Sequence, residues 1–264
     1  MGLRIALIQM DIAFGNPKKN YLMVEEKVRQ AVDTKNPDVI VLPELWTTGY
    51  DLEAFDQIAD PEGKESITFL ANLAKKYQVY FVAGSIAKKS VAGFTNTMLI
   101  FDQSGNLLKE YSKAHLFRLM NEEKHLVQGN DDGLFQLGDY LCAGLICYDI
   151  RFPEWVRTHM FDQTKVLFVV AQWPEPRIDH WRSILITRAI ENQCFVVACN
   201  RVGSDPNNVF GGHSIIVGPW GQVIAEAKDQ ETILSGEIAL SEVDKVRQNI
   251  PVFTDRRPDL YRLK

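Results

Sequence analysis

Apolar runs of strand length alternate along the chain with stretches whose apolar residues recur at helical spacing, the pattern of α/β layering. Arg4–Gln9 (RIALIQ) reads as a buried first strand. Asn20–Thr34 follows with Leu22, Val24, Val28 and Ala31 spaced roughly as on one helix face. Asp38–Leu42 is a second β-branched run, and Pro43 stops it because proline brings no N–H to a ladder. Glu44 therefore falls just past a strand end, where α/β proteins tend to place functional groups.

The succession then repeats. A helical pattern (Ile67, Leu70, Leu73, Ala74) leads into Gln78–Ala83, and His180–Asn192 leads into Gln193–Ala198. A hairpin with a glycine turn follows each: Met98–Phe101 and Leu107–Tyr111 around Ser104-Gly105, then Ser214–Val217 and Val223–Ala225 around Trp220-Gly221. Val166–Val170 with Trp173-Pro174 likewise mirrors Val39–Pro43. Two αββ-type halves predict an α/β protein with a pair of packed sheets covered by helices. Prolines and glycines are dispersed and no linker interrupts the pattern, so residues 1–264 read as one domain. The aperiodic tail, 250–264, is expected to wrap the body or to reach a partner subunit.

Composition narrows the class. With 29 Lys+Arg against 34 Asp+Glu the net charge is −5, which argues against a general nucleic-acid binder. The first apolar run is too short for a secretory signal, and none approaches the roughly 18 residues of a membrane span. Gly2 raises myristoylation, but Ile5 and Ala6 read on into a strand. Four cysteines (Cys142, Cys147, Cys194, Cys199) are too few for a disulfide scaffold and suit a reducing cytosol. No Cys-x-x-Cys and no zinc-finger spacing occur, so no metal site is expected. The working class is a cytoplasmic enzyme or binding protein.

Among the cysteines, Cys147 is the informative one. It ends the apolar run Leu141–Ile146, and Pro153-Glu154 just beyond suits a helix start. A thiol there lies near free N–H groups and a positive helix end, both of which lower its pKa towards the nucleophilic thiolate. The alternative is a small buried hydrophobe, which is also the reading for Cys142, Cys194 and Cys199. A thiol nucleophile needs a base and an oxyanion stabiliser. Glu44 and Lys113 are charges set among apolar neighbours at strand ends, though each singly reads as an ordinary strand-end charge. His115 is an alternative base in a Cys–His pair, or else a structural histidine. The serine-hydrolase elbow, the His-Glu-x-x-His zinc motif, the Walker A loop and the dinucleotide fingerprint are all absent.

Pro43-Glu44, Tyr111-Ser112-Lys113-Ala114-His115-Leu116 and Cys147-Tyr148-Asp149-Ile150-Arg151-Phe152-Pro153-Glu154 resemble, in order and spacing, the three motifs of the nitrilase superfamily of carbon–nitrogen hydrolases. The resemblance implies a four-layer αββα sandwich, usually dimerised, with neither cofactor nor metal. It implies that Cys147 attacks an amide carbonyl and Glu44 acts as general base. Lys113 and the backbone N–H of Tyr148 would hold the oxyanion. A second, supporting glutamate is expected after the lysine, and of Glu122 and Glu123 the distance to Gly129 favours Glu122.

Within the superfamily, Leu42–Asp51, Lys113–Phe117, Trp173–Arg177, Asp179–Trp181 and Asn192–Phe195 look most like the bacterial omega-amidases of methionine salvage. That likeness implies hydrolysis of 2-oxoglutaramate to 2-oxoglutarate and ammonia. Such an anionic substrate needs cations, and Arg151 and Arg177 are the candidates, because guanidinium grips carboxylate bidentately. Their alternatives are ion pairs with Asp149 or Glu154 and with Glu175 or Asp179. Trp173, Phe117 and Tyr50 are expected to line the pocket. A nitrilase, an N-carbamoyl hydrolase or a catalytically silent binding relative are the competing readings. The expected partners are a small amide, water and a second copy of the chain, with no nucleic acid and no membrane.

Overall fold

The computed structural model describes residues 2–161 and 164–262. One sheet runs Thr232–Ala239, Gly2–Gln9, Val39–Val41, Tyr80–Ser90, Gly93–Phe101, Leu107–Ser112, with Asp60–Pro61 pairing the far end of Tyr80–Ser90. The other runs Leu134–Leu137, Tyr140–Ile146, Val166–Ala171, Phe195–Asn200, Ile215–Val217, Val223–Glu226. In each sheet the second, third and fourth strands are mutually parallel and the outer ones antiparallel. The two sheets therefore match strand for strand, and the internal repeat read from the chain is the repeat of the fold.

Parallel neighbours need crossovers, and four helices provide them. Pro17–Lys35 and Lys64–Tyr77 serve the first sheet; Pro153–His159 and Ile178–Asn192 serve the second. The first begins where the side chain of Asn16 accepts from Lys19 N at 3.1 Å, a cap worth about 1 kcal/mol.

Period-two alternation sorts the side chains into layers. Ile5, Leu7, Val39, Val41 and Val82 meet Ile146, Phe168, Val170 and Val197 between the sheets. Ala6, Ile8, Ile40, Leu42 and Phe81 point the other way, beneath Val24, Val28, Leu70 and Leu73 of the covering helices. The result is a single-domain, four-layer αββα sandwich.

Two local expectations change. Leu22 is 69% exposed, because the buried stripe of its helix is Asn20, Val24, Val28 and Ala31. Cys147 is not followed directly by an α-helix; a 3-10 turn, Cys147–Arg151, intervenes before Pro153. The tail starts against the body, with Gln193 Nε2 donating to Ile250 O at 2.7 Å and Phe253 lying under the guanidiniums of Arg157 and Arg247. Its last two positions, 263–264, lie outside the described residues. No described helix is long and apolar enough to cross a membrane.

Candidate active site

Three strand ends converge. Glu44 follows Val39–Val41, Lys113 follows Leu107–Ser112, and Cys147 follows Tyr140–Ile146. Local backbone chemistry explains how each side chain is aimed. The strand Tyr80–Ser90 slips register between Val82 and Ser85, where Gly84 takes φ 58°. A Cβ at Gly84 would sit 2.0 Å from Pro43 O, so only glycine lets the two chains close here. Ser85 then fastens the turn, its Oγ accepting from Leu45 N at 2.8 Å and its carbonyl from Trp46 N at 3.0 Å. Lys113 is pinned on both sides, its N–H to Asn96 O and its carbonyl to Gly129 N, both at 2.9 Å.

Cys147 sits in the left-handed region at φ 46°, unusual for a side chain with a Cβ and costing about 1–3 kcal/mol. Asp149 holds that conformation in place. Its carboxylate accepts from Ile146 N at 3.1 Å, Tyr111 OH at 2.8 Å and His115 N at 3.0 Å, and pairs with His115 Nδ1 at 2.8 Å. His115, stacked 3.8 Å from Phe152, is thus committed to the cysteine turn, the structural alternative for this residue.

The charged groups meet in a buried cluster. Lys113 Nζ lies 2.8 Å from Glu44 Oε1 and 2.7 Å from Glu122 Oε1, with all three side chains inaccessible. Glu122, not the exposed Glu123, is the second carboxyl, and its Oε2 accepts from Phe117 N at 2.7 Å. Glu44 also accepts from Asn96 Nδ2 at 2.8 Å, Tyr50 OH at 2.9 Å and Gln172 N at 2.8 Å. That last bond crosses from one sheet to the other and ties the two halves at the site.

Electrostatics refine one expectation. Burial first, then the Glu44 charge, push the Cys147 thiol well above its ordinary value against the pull of Lys113. The expected lowering by the strand-to-helix position does not prevail, because the residue is sealed among apolar strands beside a carboxylate. The resting group is a neutral thiol that needs a base. Burial would depress the Lys113 ammonium, but Glu122 and Glu44 outweigh it and hold it well above the usual lysine value. Burial also raises Glu122, with Lys113 opposing and Glu44 adding.

Above this cluster opens a small cleft bordered by Phe117, Cys147, Tyr148, Arg151, Trp173 and Arg177. All five residues expected to bind substrate are on its wall. Tyr50 is not; it stands behind Glu44. Arg151 lies over the Trp173 ring at 4.5 Å and Arg177 over the Phe117 ring at 5.6 Å. Among the described residues neither arginine has a carboxylate within ion-pair distance, so the ion pairs weighed as alternatives do not form. Burial lowers the Arg151 guanidinium from its ordinary value, the thiol opposing and neighbouring Arg177 adding.

The family model for carbon–nitrogen hydrolases matches residues 4–248. The chain belongs to that family. This carbon–nitrogen hydrolase is 51% identical over 97% of its length to the 2-oxoglutaramate amidase of Bacillus subtilis, covering 98% of that protein. It is 34% identical to an omega-amidase, YafV, of Escherichia coli, over 99% of both chains. A carbon–nitrogen hydrolase superfamily protein from Xanthomonas campestris, solved with an arsenic adduct in its active site, superposes over the full length of both with TM-score 0.92 at 28% identity.

Several residues that shape this carbon–nitrogen hydrolase's site escaped the sequence reading. Asn96 lies between two threonines in Gly93–Phe101 and Gln172 just past the apolar run Val166–Ala171, so neither stands out from its neighbours as a site residue. Arg201, fully buried, donates to Gln172 Oε1 at 2.7 Å, which orients the amide so that Gln172 Nε2 donates to Glu44 O at 2.7 Å. Nothing local to Arg201 announces that role.

Proposed function

We propose that the protein is a thiol-dependent amidase that hydrolyses the ω-amide of a small dicarboxylic acid monoamide, of which 2-oxoglutaramate is the type. The observation carrying this reading is the buried Glu44–Lys113–Cys147 set beneath a cleft whose wall bears two arginines without carboxylate partners. The likeness to 2-oxoglutaramate amidase and omega-amidase sequences supports the same substrate class.

The chemistry follows from the geometry. A substrate carboxylate held by Arg151 and Arg177, with Trp173 and Phe117 as walls, presents the far amide carbonyl to Cys147. Sγ attacks carbon while Glu44 takes the thiol proton. Lys113 has three N–H donors, two of them engaged by Glu44 and Glu122, which leaves the third for the developing oxyanion. Tyr148 lies in the first turn of the 3-10 segment, where N–H groups have no acceptor within the turn, and supplies the second donor. Glu44 returns the proton to the amide nitrogen, ammonia leaves and a thioester remains. Water, deprotonated by Glu44, attacks the thioester; the acid departs and the thiol regains its proton.

Reduced, buried cysteines support a cytoplasmic setting. The product, a 2-oxo acid, suits a salvage step, methionine salvage being the one the omega-amidase likeness suggests. A homodimer is proposed from the family resemblance, with the tail from Ile250 at its interface. The test of function is ammonia release from a panel of 2-oxoglutaramate, succinamate, simple nitriles and N-carbamoyl amino acids. The reading expects the anionic ω-amides to lead in kcat/KM. Far better turnover of nitriles or carbamoyl compounds would overturn it, and no turnover of any would favour a silent binding protein.

A further inference from the structure

Tyr50 occupies a position that the reaction scheme above leaves unused. Its hydroxyl lies 2.9 Å from Glu44 Oε1 and 2.7 Å from Glu122 Oε1, the same two oxygens that Lys113 Nζ contacts. Nζ, the phenol oxygen and the two carboxyl oxygens therefore close a four-membered ring of contacts, and Tyr50 itself is only 8% exposed.

Counting protons in this ring leads to a definite state. A phenol has one proton and can donate along only one of its two contacts. The other contact sets a phenol lone pair against a carboxyl oxygen, which is repulsive unless that carboxyl carries a proton. Counting charge leads the same way. One ammonium facing two ionised carboxylates would leave an uncompensated negative charge in the interior, which is strongly unfavourable. One additional proton satisfies the idle contact and neutralises the cluster.

Its location follows from the donors around each carboxyl. Glu44 receives bonds from Lys113, Asn96 Nδ2 and Gln172 N before Tyr50 is considered. Among the described residues Glu122 receives only Lys113 and Phe117 N. More donors stabilise the anion, so Glu44 is the carboxylate and Glu122 the acid. We propose that Tyr50 is a positioning residue that keeps the surplus proton on Glu122 and the negative charge on Glu44, accepting from the first and donating to the second. The upward displacement of Glu122, from burial first and from Glu44 after it, agrees with this placement.

The arrangement bears on catalysis, and in that respect rests on the amidase reading. With Glu122 neutral, Lys113 has a single anionic neighbour. When Glu44 takes the thiol proton, that anion vanishes as the substrate oxyanion appears, and the whole Lys113 charge is available to it. The cluster stays neutral throughout, Glu122 keeps its proton in both half-reactions, and no proton is gained from or lost to solvent. The charged and titratable groups facing the ring are Lys113, Glu44 and Cys147, with Arg201 beyond Tyr50.

Infrared difference spectroscopy of the intact enzyme at neutral pH reads the proton directly. The wild type should show the carbonyl stretch of a protonated carboxylic acid, lost in Glu122→Gln and shifted to higher frequency in Tyr50→Phe as its hydrogen bond disappears. Tyr50→Phe should also lower kcat by about tenfold or more, the effect of one lost bond to a charged group, with KM little changed. Its alkaline limb should move to lower pH, because the Glu122 proton has lost its acceptor. Absence of a protonated-carboxyl band, survival of that band in Glu122→Gln, or a wild-type kcat and pH profile in Tyr50→Phe overturns the proposal. Should Glu122→Gln fail to fold, the frequency shift in Tyr50→Phe decides alone. Should the wild type release no ammonia, the amidase reading fails while the spectrum still places the proton.

Discussion

Replacing Lys113 by methionine keeps most of the side-chain volume and removes one charge from a site where nothing can replace it. Lys113 contacts Glu44 and Glu122 at 2.8 and 2.7 Å with all three side chains inaccessible to water. Removing one partner of a buried ion pair strands the other, at a cost of about 3–5 kcal/mol. Folded domains carry roughly 5–15 kcal/mol of stability, so the variant should still fold, with a thermal midpoint lowered by on the order of 10 °C. The deficit should also depend on pH. Glu122 is raised above its ordinary 4.5 by burial, and Lys113 is the largest force opposing that rise. Without Lys113 it rises further. An acid whose folded pKa exceeds its unfolded value contributes stability below the unfolded pKa and loses it as pH climbs through the folded one. Both proteins lose this stability alike until wild-type Glu122 gives up its proton, so the difference from wild type should widen across the alkaline range, measured by urea unfolding at several pH values. Loss of an oxyanion donor adds a fall of about 10²–10³ in kcat. A variant within about 1 kcal/mol of wild type at neutral pH, or a deficit flat across that range, would refute the reasoning.

Other substitutions separate the roles of neighbouring groups. Asp149→Asn keeps the shape of the side chain that holds the Cys147 turn but weakens four contacts, including that to His115; kcat should fall by about tenfold or more, a size set by bonds to a charged group, without loss of fold. Arg151→Ala and Arg177→Ala should each raise KM for anionic ω-amides, at about 1.5–3 kcal/mol in kcat/KM, and leave neutral amides little affected. Equal losses on both substrate types would remove the arginines as carboxylate contacts. Because burial and then Glu44 hold the Cys147 thiol well above its usual value, its alkylation by iodoacetamide should be slower at neutral pH than that of a free cysteine and accelerate into the alkaline range. Fast alkylation at neutral pH would mean a resting thiolate.

The fold was legible because its central strands carry long apolar runs and its two halves repeat one succession of elements. Glu44, Lys113 and Cys147 were legible because each is a reactive side chain at a strand end, and their order resembles a known family's motifs. What escaped lies in contacts between distant segments. Gln172 reaches Glu44 across 128 positions, and Arg201 orients Gln172 from a strand end in the second sheet. Tyr50 read as a pocket wall because aromatics near a site usually line it; only the path of Leu45–Gly49 turns its hydroxyl onto two carboxyls. The thiol's resting state was misjudged for a related reason. A strand-to-helix position is visible in sequence, whereas complete burial beside a carboxylate is a property of the packed site.

The most direct test of the central claim is to trap the thioester. Mixing enzyme with 2-oxoglutaramate, quenching in acid and weighing the intact protein should reveal an adduct of the substrate less ammonia, mapped to the peptide bearing Cys147. Cys147→Ala should show neither adduct nor ammonia release while keeping the wild-type circular dichroism spectrum. An adduct on another residue, or ammonia release that survives in Cys147→Ala, would contradict the account.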